Sequence, residues 1–95
     1  MVKFKNLEEI EGYLGAAVSI DELSDGFSKE AYNVWALNNE LTEVFVGSGE
    51  GSFMTPGEAR RHVKDITKRY RRGAFRLPRK YVRQIVEKVA GIYIR

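Results

Sequence analysis

The stretch KRYRRGAFRLPRK, residues 68–80, carries seven lysines and arginines and no carboxylate. Guanidinium and ammonium groups at this density bind anions, and arginine pairs with phosphate through two parallel hydrogen bonds. Arginine outnumbers lysine here, which favours phosphate contact or stacking over a purely solubilising role. The chemistry that these residue types offer is therefore the binding of a negatively charged partner.

The position of these cations along two predicted helices divides them into two groups. The arginines within residues 69–72 end the helix that precedes Gly73. The helix dipole favours cations there by about 0.3–1 kcal/mol each, so folding alone can explain these arginines. Arg79 and Lys80 begin the next helix, where the same dipole disfavours them. Since no acidic residue lies between Asp65 and Glu87, relief must come from a carboxylate of another segment or from an external anion.

We predict from this pattern a phosphate-binding surface on the last two helices. Its partner is expected to be nucleic acid, DNA or RNA, held without sequence preference. Phe75, inside the basic stretch, is expected to pack in the core under the turn, with stacking on a base as the alternative. The predicted nucleic-acid contacts are Arg60, Arg61, Lys64, Lys68, Arg71, Arg72, Arg76, Arg79, Lys80 and Arg83.

The charges of the whole chain are divided between its halves. Residues 1–57 hold three lysines and ten carboxylates, a net charge of −7, whereas residues 58–95 hold thirteen cations and three carboxylates, a net charge of +10. Such asymmetry indicates a polyanionic partner. Two alternatives stay open: the halves neutralise each other within the fold, or the protein forms a homo-oligomer through them.

Catalytic and metal chemistry have little support in the residue types. The single histidine, His62, lies beside an apolar helical stripe and is expected to be a boundary residue, and the chain has no cysteine. A hydrolytic triad or a zinc site needs more of these groups. The glycine-rich GSGEGS, residues 47–52, lacks the spacing of a nucleotide-binding loop. We therefore predict no enzyme, no metal and no cofactor.

A protein-binding module is the alternative function. Aromatic residues are frequent anchors of protein interfaces, and three of them lie in the acidic half, at Trp35, Phe45 and Phe53. Such a module would act as a regulator or inhibitor of a larger complex, as small proteins of viruses or mobile elements do.

Length and composition bound the class of protein. The 95 residues suit a single domain, 1–95, with an ordinary share of hydrophobic residues, 43%. No apolar run approaches the roughly 20 residues that span a bilayer. We expect a cytoplasmic protein with no membrane partner.

Three helices are predicted from local signals. The first covers residues 6–15, with Asn6 as its N-cap. The second begins with a capping box in which Thr55 is the N-cap, and Gly73 is predicted at its C′ position. The third runs from Pro78 to about residue 90. Helix, glycine-containing turn and helix together resemble a helix-turn-helix.

The segment between these helices predicts strands. Residues 31–46 are rich in β-branched and aromatic residues, and Asn38-Asn39 suits a hairpin turn. A short third strand is predicted at Phe53 and Met54. The expected fold is therefore α+β, with a small antiparallel sheet of two or three strands packed against two C-terminal helices, and a short N-terminal helix.

These strands followed by TPGEA and an amphipathic helix resemble the sheet-plus-helix modules of integrase arm-binding and AP2-type domains, over residues 31–72. The resemblance implies that the sheet enters the DNA groove. No cation lies between Glu30 and Arg60, which argues against it. The contact residues that it implies are Asn33, Trp35, Asn38, Asn39 and Thr42.

Overall fold

The structure of the protein, a computed structural model, describes residues 4–17, 28–46 and 55–93, and these segments form helices. There are four α-helices in them, with a short 3₁₀ turn before the last, and none of the described residues belongs to a strand. The prediction of an α+β fold with an antiparallel sheet is therefore wrong, and the described architecture is all-helical. The helices are α1 (Leu7–Ala16), α2 (Lys29–Val46), α3 (Pro56–Arg69) and α4 (Arg79–Tyr93), and the 3₁₀ turn is Gly73–Phe75.

The predicted hairpin at residues 31–46 is instead most of α2. Its buried apolar residues recur three or four positions apart, which is the period of a helix rather than of a strand. Burial of this stripe outweighs the strand preference of the individual residues, since intrinsic propensities are small and depend on context. The stripe consists of Ala31, Val34, Leu37, Leu41 and Val44.

The interpretation of Asn38-Asn39 as a hairpin turn fails with it. The Asn38 side chain donates to the Val34 carbonyl at 3.1 Å, and the Thr42 hydroxyl donates to the Asn38 carbonyl at 2.7 Å. Both are contacts to the preceding turn of a continuous helix. The resemblance to sheet-plus-helix modules falls as well, because the residues that it would place on a sheet lie on α2.

Helix α1 confirms the predicted N-terminal helix. The Asn6 side chain accepts from the Glu9 amide at 3.0 Å, and the Glu9 carboxylate accepts from the Lys5 amide at 2.8 Å. Leu7 and Ile10 are buried. The Asn6 side chain thus satisfies a backbone donor that the helix start leaves unpaired, and the Glu9 carboxylate binds the amide of the residue before the cap.

The start of α3 confirms the predicted capping box. The Glu58 amide donates to the Thr55 hydroxyl at 3.2 Å, and the Thr55 amide donates to the Glu58 carboxylate at 3.3 Å. The predicted end is displaced: α3 ends at Arg69 with Tyr70 as its C-cap, so Gly73 is not the C′ residue. Gly73 nevertheless has a φ of +66°, a value that glycine adopts without strain, and it begins the 3₁₀ turn.

Helix α4 begins at Arg79, directly after Pro78, close to the predicted start. The Pro78 carbonyl accepts from the amides of Tyr81 and Val82, at 2.9 and 3.2 Å. The buried face of α4 consists of Tyr81, Val82, Ile85 and Val89. The helix continues to Tyr93, so residues 91–93 extend it.

Helix α2 packs against each of the other three α-helices, and the core lies along it. Leu37 and Leu41 are fully buried there. Leu77, from the connection between α3 and α4, closes one side of this core. That connection covers residues 70–78, longer than the three- or four-residue turn of a helix-turn-helix.

Some predicted elements lie outside the described residues. The glycine-rich connection at residues 47–52 and the predicted strand at Phe53 and Met54 belong to this group. So do residues 18–20 and residues 21–27 of the turn-rich segment 21–30, whose composition predicts a loop. The last three residues of that segment, Ser28, Lys29 and Glu30, are described, and Lys29 and Glu30 begin α2 instead of a loop.

Candidate nucleic-acid interface

All ten cations of the predicted phosphate-binding surface are exposed. Within the described segments, none of their side chains forms an ion pair with a carboxylate. Lys80 contacts the ring of its neighbour Tyr81, with 5.5 Å between the ammonium nitrogen and the ring centroid. We call this set of ten side chains the basic surface; its members are Arg60, Arg61, Lys64, Lys68, Arg71, Arg72, Arg76, Arg79, Lys80 and Arg83.

On α3, the sequence spacing sets four of these cations apart from the core. Arg60, Lys64 and Lys68 recur every four residues and therefore form a row along the helix, with Arg61 beside it. The side chains that face the core lie on the other side of the helix, and buried Ile66 is at the centre of that side. Burial of one stripe thus directs the cationic row towards solvent.

At the start of α4, the local backbone adds to the positive potential. Arg79 and Lys80 occupy the first turn, which holds no acidic residue. The first amides of an α-helix have no carbonyl partner within it, and Pro78, directly before them, has no side-chain acceptor. Arg76 and Arg83 flank this turn, and both are exposed.

Carboxylates of the acidic half do reach the basic half, but they contact other cations. Glu40 accepts from both terminal nitrogens of Arg69, and Glu11 accepts from Lys88. Arg69 is one of the arginines that we assigned to folding from the sequence. The basic surface is therefore not neutralised by these two contacts.

Glu40 also fixes Tyr70. The Tyr70 hydroxyl donates to a Glu40 carboxylate oxygen at 2.8 Å, and the residue is only 1% exposed. Burial, followed by the hydrogen bond to Glu40 and the charge of that carboxylate, raises the pKa of Tyr70 well above its ordinary value. Tyr70 is thus a neutral, fixed ring beneath the connection between α3 and α4.

Phe75 lies on the surface, contrary to the prediction that it packs in the core. It is 43% exposed, and its ring contacts that of Tyr70 with 5.5 Å between centroids and a tilt of 52°. The packing prediction failed because the 3₁₀ turn holds the ring at the edge of the core, where Tyr70 covers only part of it. The inward-facing position of this connection belongs to Leu77, which is buried.

An open groove of about 600 Å³ runs beside Phe75. Most of its lining surface is apolar, and its charged side chains come from the end of α3 and from Arg72 in the connection. It brings together two predicted contacts, Lys68 and Arg72, with the aromatic ring. The lining residues are Asp65, Lys68, Arg69, Arg72, Gly73, Ala74 and Phe75.

Two residues that position this groove, Asn33 and Glu40, were not among the site residues predicted from the sequence for this surface. Asn33 is buried and donates to the Ala74 carbonyl at 3.3 Å, which ties the 3₁₀ turn to α2. A signal was present in the helical period: Asn33 stands one turn before Leu37 on the buried face. Nothing comparable marked Glu40, because its partners lie about 30 positions away.

The aromatic residues of the alternative protein interface are not gathered on one described surface. Trp35 is 37% exposed and contacts the ring of Tyr32, with 5.7 Å between centroids. Phe45 is half-buried and packs against the core, and Phe53 lies outside the described residues. Of the two predicted anchors that the structure describes, Trp35 is the exposed one.

The described segments also show where His62 lies and how the histidine and carboxylate side chains are grouped. His62 is exposed on α3, on the solvent side of the predicted boundary. Among the residues described, no three histidine or carboxylate side chains are grouped so as to hold a metal ion. None of the helices described here is both long and apolar enough to cross a membrane.

The chain was compared with protein families, curated proteins and solved structures. No family model matches the chain, and neither curated proteins nor solved structures give a significant match. The comparisons thus give no functional information.

Proposed function

We propose that the protein binds nucleic acid, DNA or RNA, by gripping phosphates with its basic surface. The observation that supports this most directly is that ten cations are exposed and without an ion pair in the described segments. The acidic half supplies Glu11 and Glu40 to the basic half, and both contact cations outside this set.

A polymeric anion suits this arrangement better than a small one. The cations extend along α3, through the connection and into the first turns of α4, so a single small anion would contact only a few of them. Nucleic acid carries a charge on every nucleotide and can occupy many sites at once. Each phosphate that is neutralised releases counterions, which supplies the free energy of binding.

The first turn of α4 gives a second line of support. Arg79 and Lys80 stand where the helix dipole disfavours cations by about 0.3–1 kcal/mol each, and no described carboxylate forms an ion pair with either of them. A phosphate at this turn would compensate both the side chains and the unpaired amides. A cost in stability that binding relieves is typical of a functional position.

The test is a matched pair of charge reversals. One variant combines Arg76→Glu, Arg79→Glu and Lys80→Glu; the control combines Lys3→Glu, Lys5→Glu and Lys29→Glu. Both change the net charge from +3 to −3, because each reversal removes two positive units. Glutamate is favoured in the first turn of a helix, so the first variant should unfold at no lower temperature than the parent.

We expect the first variant to lose affinity for a labelled oligonucleotide on the order of tenfold or more at low salt, and the control to lose less. The slope of log affinity against log salt should flatten by roughly one for each phosphate that the variant no longer binds. Fluorescence anisotropy over a salt series measures both. Three results would contradict the proposal: equal losses of affinity in the two variants, an affinity that does not change with salt concentration, or no binding at low salt.

A protein-binding module remains the second candidate, and exposed Trp35 beside Tyr32 is the observation that favours it. If the protein regulates a larger complex, a pull-down should recover one protein partner in stoichiometric amount. Nuclease treatment should leave that partner bound. Trp35→Ala should then release it, whereas the charge reversals at α4 should not. Loss of the partner on nuclease treatment would return support to nucleic-acid binding.

A further inference from the structure

We propose that the groove beside Phe75 takes one unpaired base, so that the protein prefers single-stranded nucleic acid to a duplex. This inference rests on the proposed function and adds to it the form of nucleic acid that is bound. It follows from three features of the groove: an exposed ring, a fixed support for that ring, and a mostly apolar lining that includes two cations without a described ion pair.

The ring is available for stacking. Phe75 is 43% exposed and lies within the stretch of highest cation density in the chain, between Arg72 and Arg76. Proteins that bind single strands combine a positive groove with aromatic rings on which bases stack. Stacking needs no sequence preference because every base has a flat π face.

The support for the ring is built from buried groups. Tyr70, fixed by Glu40, packs against one side of Phe75 at 5.5 Å. The Asn33 amide holds the Ala74 carbonyl, and the Leu77 amide donates to the Tyr70 carbonyl at 2.7 Å. The turn is thus fixed before any ligand arrives, which lowers the entropy cost of binding.

The lining chemistry places a base, rather than a phosphate, inside the groove. Most of its surface is apolar, and Asp65 is a carboxylate that would repel a phosphate there. Arg69 is already occupied by Glu40. Lys68 and Arg72, which have no described ion pair, are left for the phosphates on either side of the base.

A duplex does not fit this arrangement without further cost. Its bases are stacked on one another and paired, so a protein reaches a base face only after unstacking it, at a cost of a few kcal/mol. A single strand offers the same phosphates with its bases free. We therefore expect the phosphate contacts of the basic surface to serve both forms and the Phe75 contact to serve only one.

The experiment compares Phe75→Leu with the parent on two probes, an unpaired 12-nucleotide oligonucleotide and a hairpin duplex of equal phosphate number. We expect Phe75→Leu to lose single-strand affinity on the order of tenfold, as stacking on one base predicts, and to leave duplex affinity within about twofold. Phe75→Trp should retain single-strand affinity. Because Phe75 lies at the surface, both variants should keep the parent's far-ultraviolet circular dichroism.

A second measurement reports the stacking directly. Trp35 is the only tryptophan, so in the double variant Trp35→Phe, Phe75→Trp the indole at 75 is the sole one. A base stacked on that indole should quench its fluorescence on titration with the single strand, while the duplex should leave it nearly unchanged. Absence of quenching by a single strand that binds would overturn the inference.

The inference and the proposed function fail in different ways. If Phe75→Leu binds the single strand as tightly as the parent while the charge reversals at α4 still weaken binding, the base site is wrong and phosphate binding stands. Duplex binding as tight as single-strand binding would have the same meaning. If neither probe binds at low salt, both proposals are overturned.

Discussion

At the scale of single residues, Glu40 joins the acidic and basic halves of the chain. Its carboxylate accepts from the Arg69 guanidinium and from the buried Tyr70 hydroxyl. Removal of the Glu40 carboxylate would leave the buried Tyr70 hydroxyl without an acceptor. An unsatisfied buried donor costs more free energy than the net gain from forming the hydrogen bond. Glu40 therefore maintains the ring on which Phe75 rests.

This environment predicts how stability responds to alkaline pH. The pKa of Tyr70 is raised by burial and by Glu40, and that of Tyr81 is raised by burial and by the charges of Glu30, Glu8 and Glu9. Both hydroxyls ionise more readily in the unfolded chain. The contribution of these two tyrosines to the free energy of unfolding is therefore fully present below about pH 10. It is lost as the pH rises towards the folded-state pKa.

We expect Tyr70→Phe to reduce this alkaline loss. Urea denaturation at pH 7 should show a cost of about 1–2 kcal/mol for the missing hydrogen bond. Between about pH 10 and 11, however, the free energy of unfolding of the variant should fall less steeply than that of the parent. An unchanged slope would mean that Tyr70 ionises equally in the two states.

At the scale of elements, the helices with local start signals were predictable and α2 was not. Asn6, Thr55 and Glu58 act on amides within three residues of themselves, so their meaning is contained in a short window. Helix α2 depends on burying a stripe against three partners. Its β-branched and aromatic residues favour strands locally, and only the long-range packing decides for a helix.

A pair of alanine substitutions tests the assignment of α2. Asn39 is exposed in the middle of the helix, where alanine is the better helix former, so Asn39→Ala should stabilise the protein by about 0.5 kcal/mol. Asn6→Ala, the matched control, removes an N-cap and should cost about 1 kcal/mol. Thermal denaturation of both variants gives the two signs. Destabilisation by Asn39→Ala would instead agree with a turn at that position.

At the scale of the whole molecule, α2 is the common packing partner of the other helices. The exposure of the basic surface was predictable, because charged side chains are seldom buried without a partner. The groove beside Phe75 was not predictable. It depends on the positive φ of Gly73, on Asn33 of α2 and on the ring of Tyr70, which come together only in the folded chain.

The central position of α2 predicts a cooperative response to a cavity. Leu37 is fully buried, so Leu37→Ala should cost about 2–5 kcal/mol, a large part of the stability of a small domain. Val46, on the same helix, is 53% exposed, and Val46→Ala should change stability by about 0.5 kcal/mol or less. Urea unfolding followed by circular dichroism should show one transition for Leu37→Ala, shifted as a unit. A second transition, in which part of the helical signal is lost at a lower urea concentration, would contradict this.

The contact between Glu11 of α1 and Lys88 of α4 has a practical consequence. A carboxylate beside an ammonium group is the pair that a zero-length carbodiimide reagent joins as an amide. Arg69 and Glu40 cannot be joined in this way, since a guanidinium remains protonated. One reagent would therefore convert the span from residue 11 to residue 88 into a covalent ring, while the arginines around Phe75 would keep their charge.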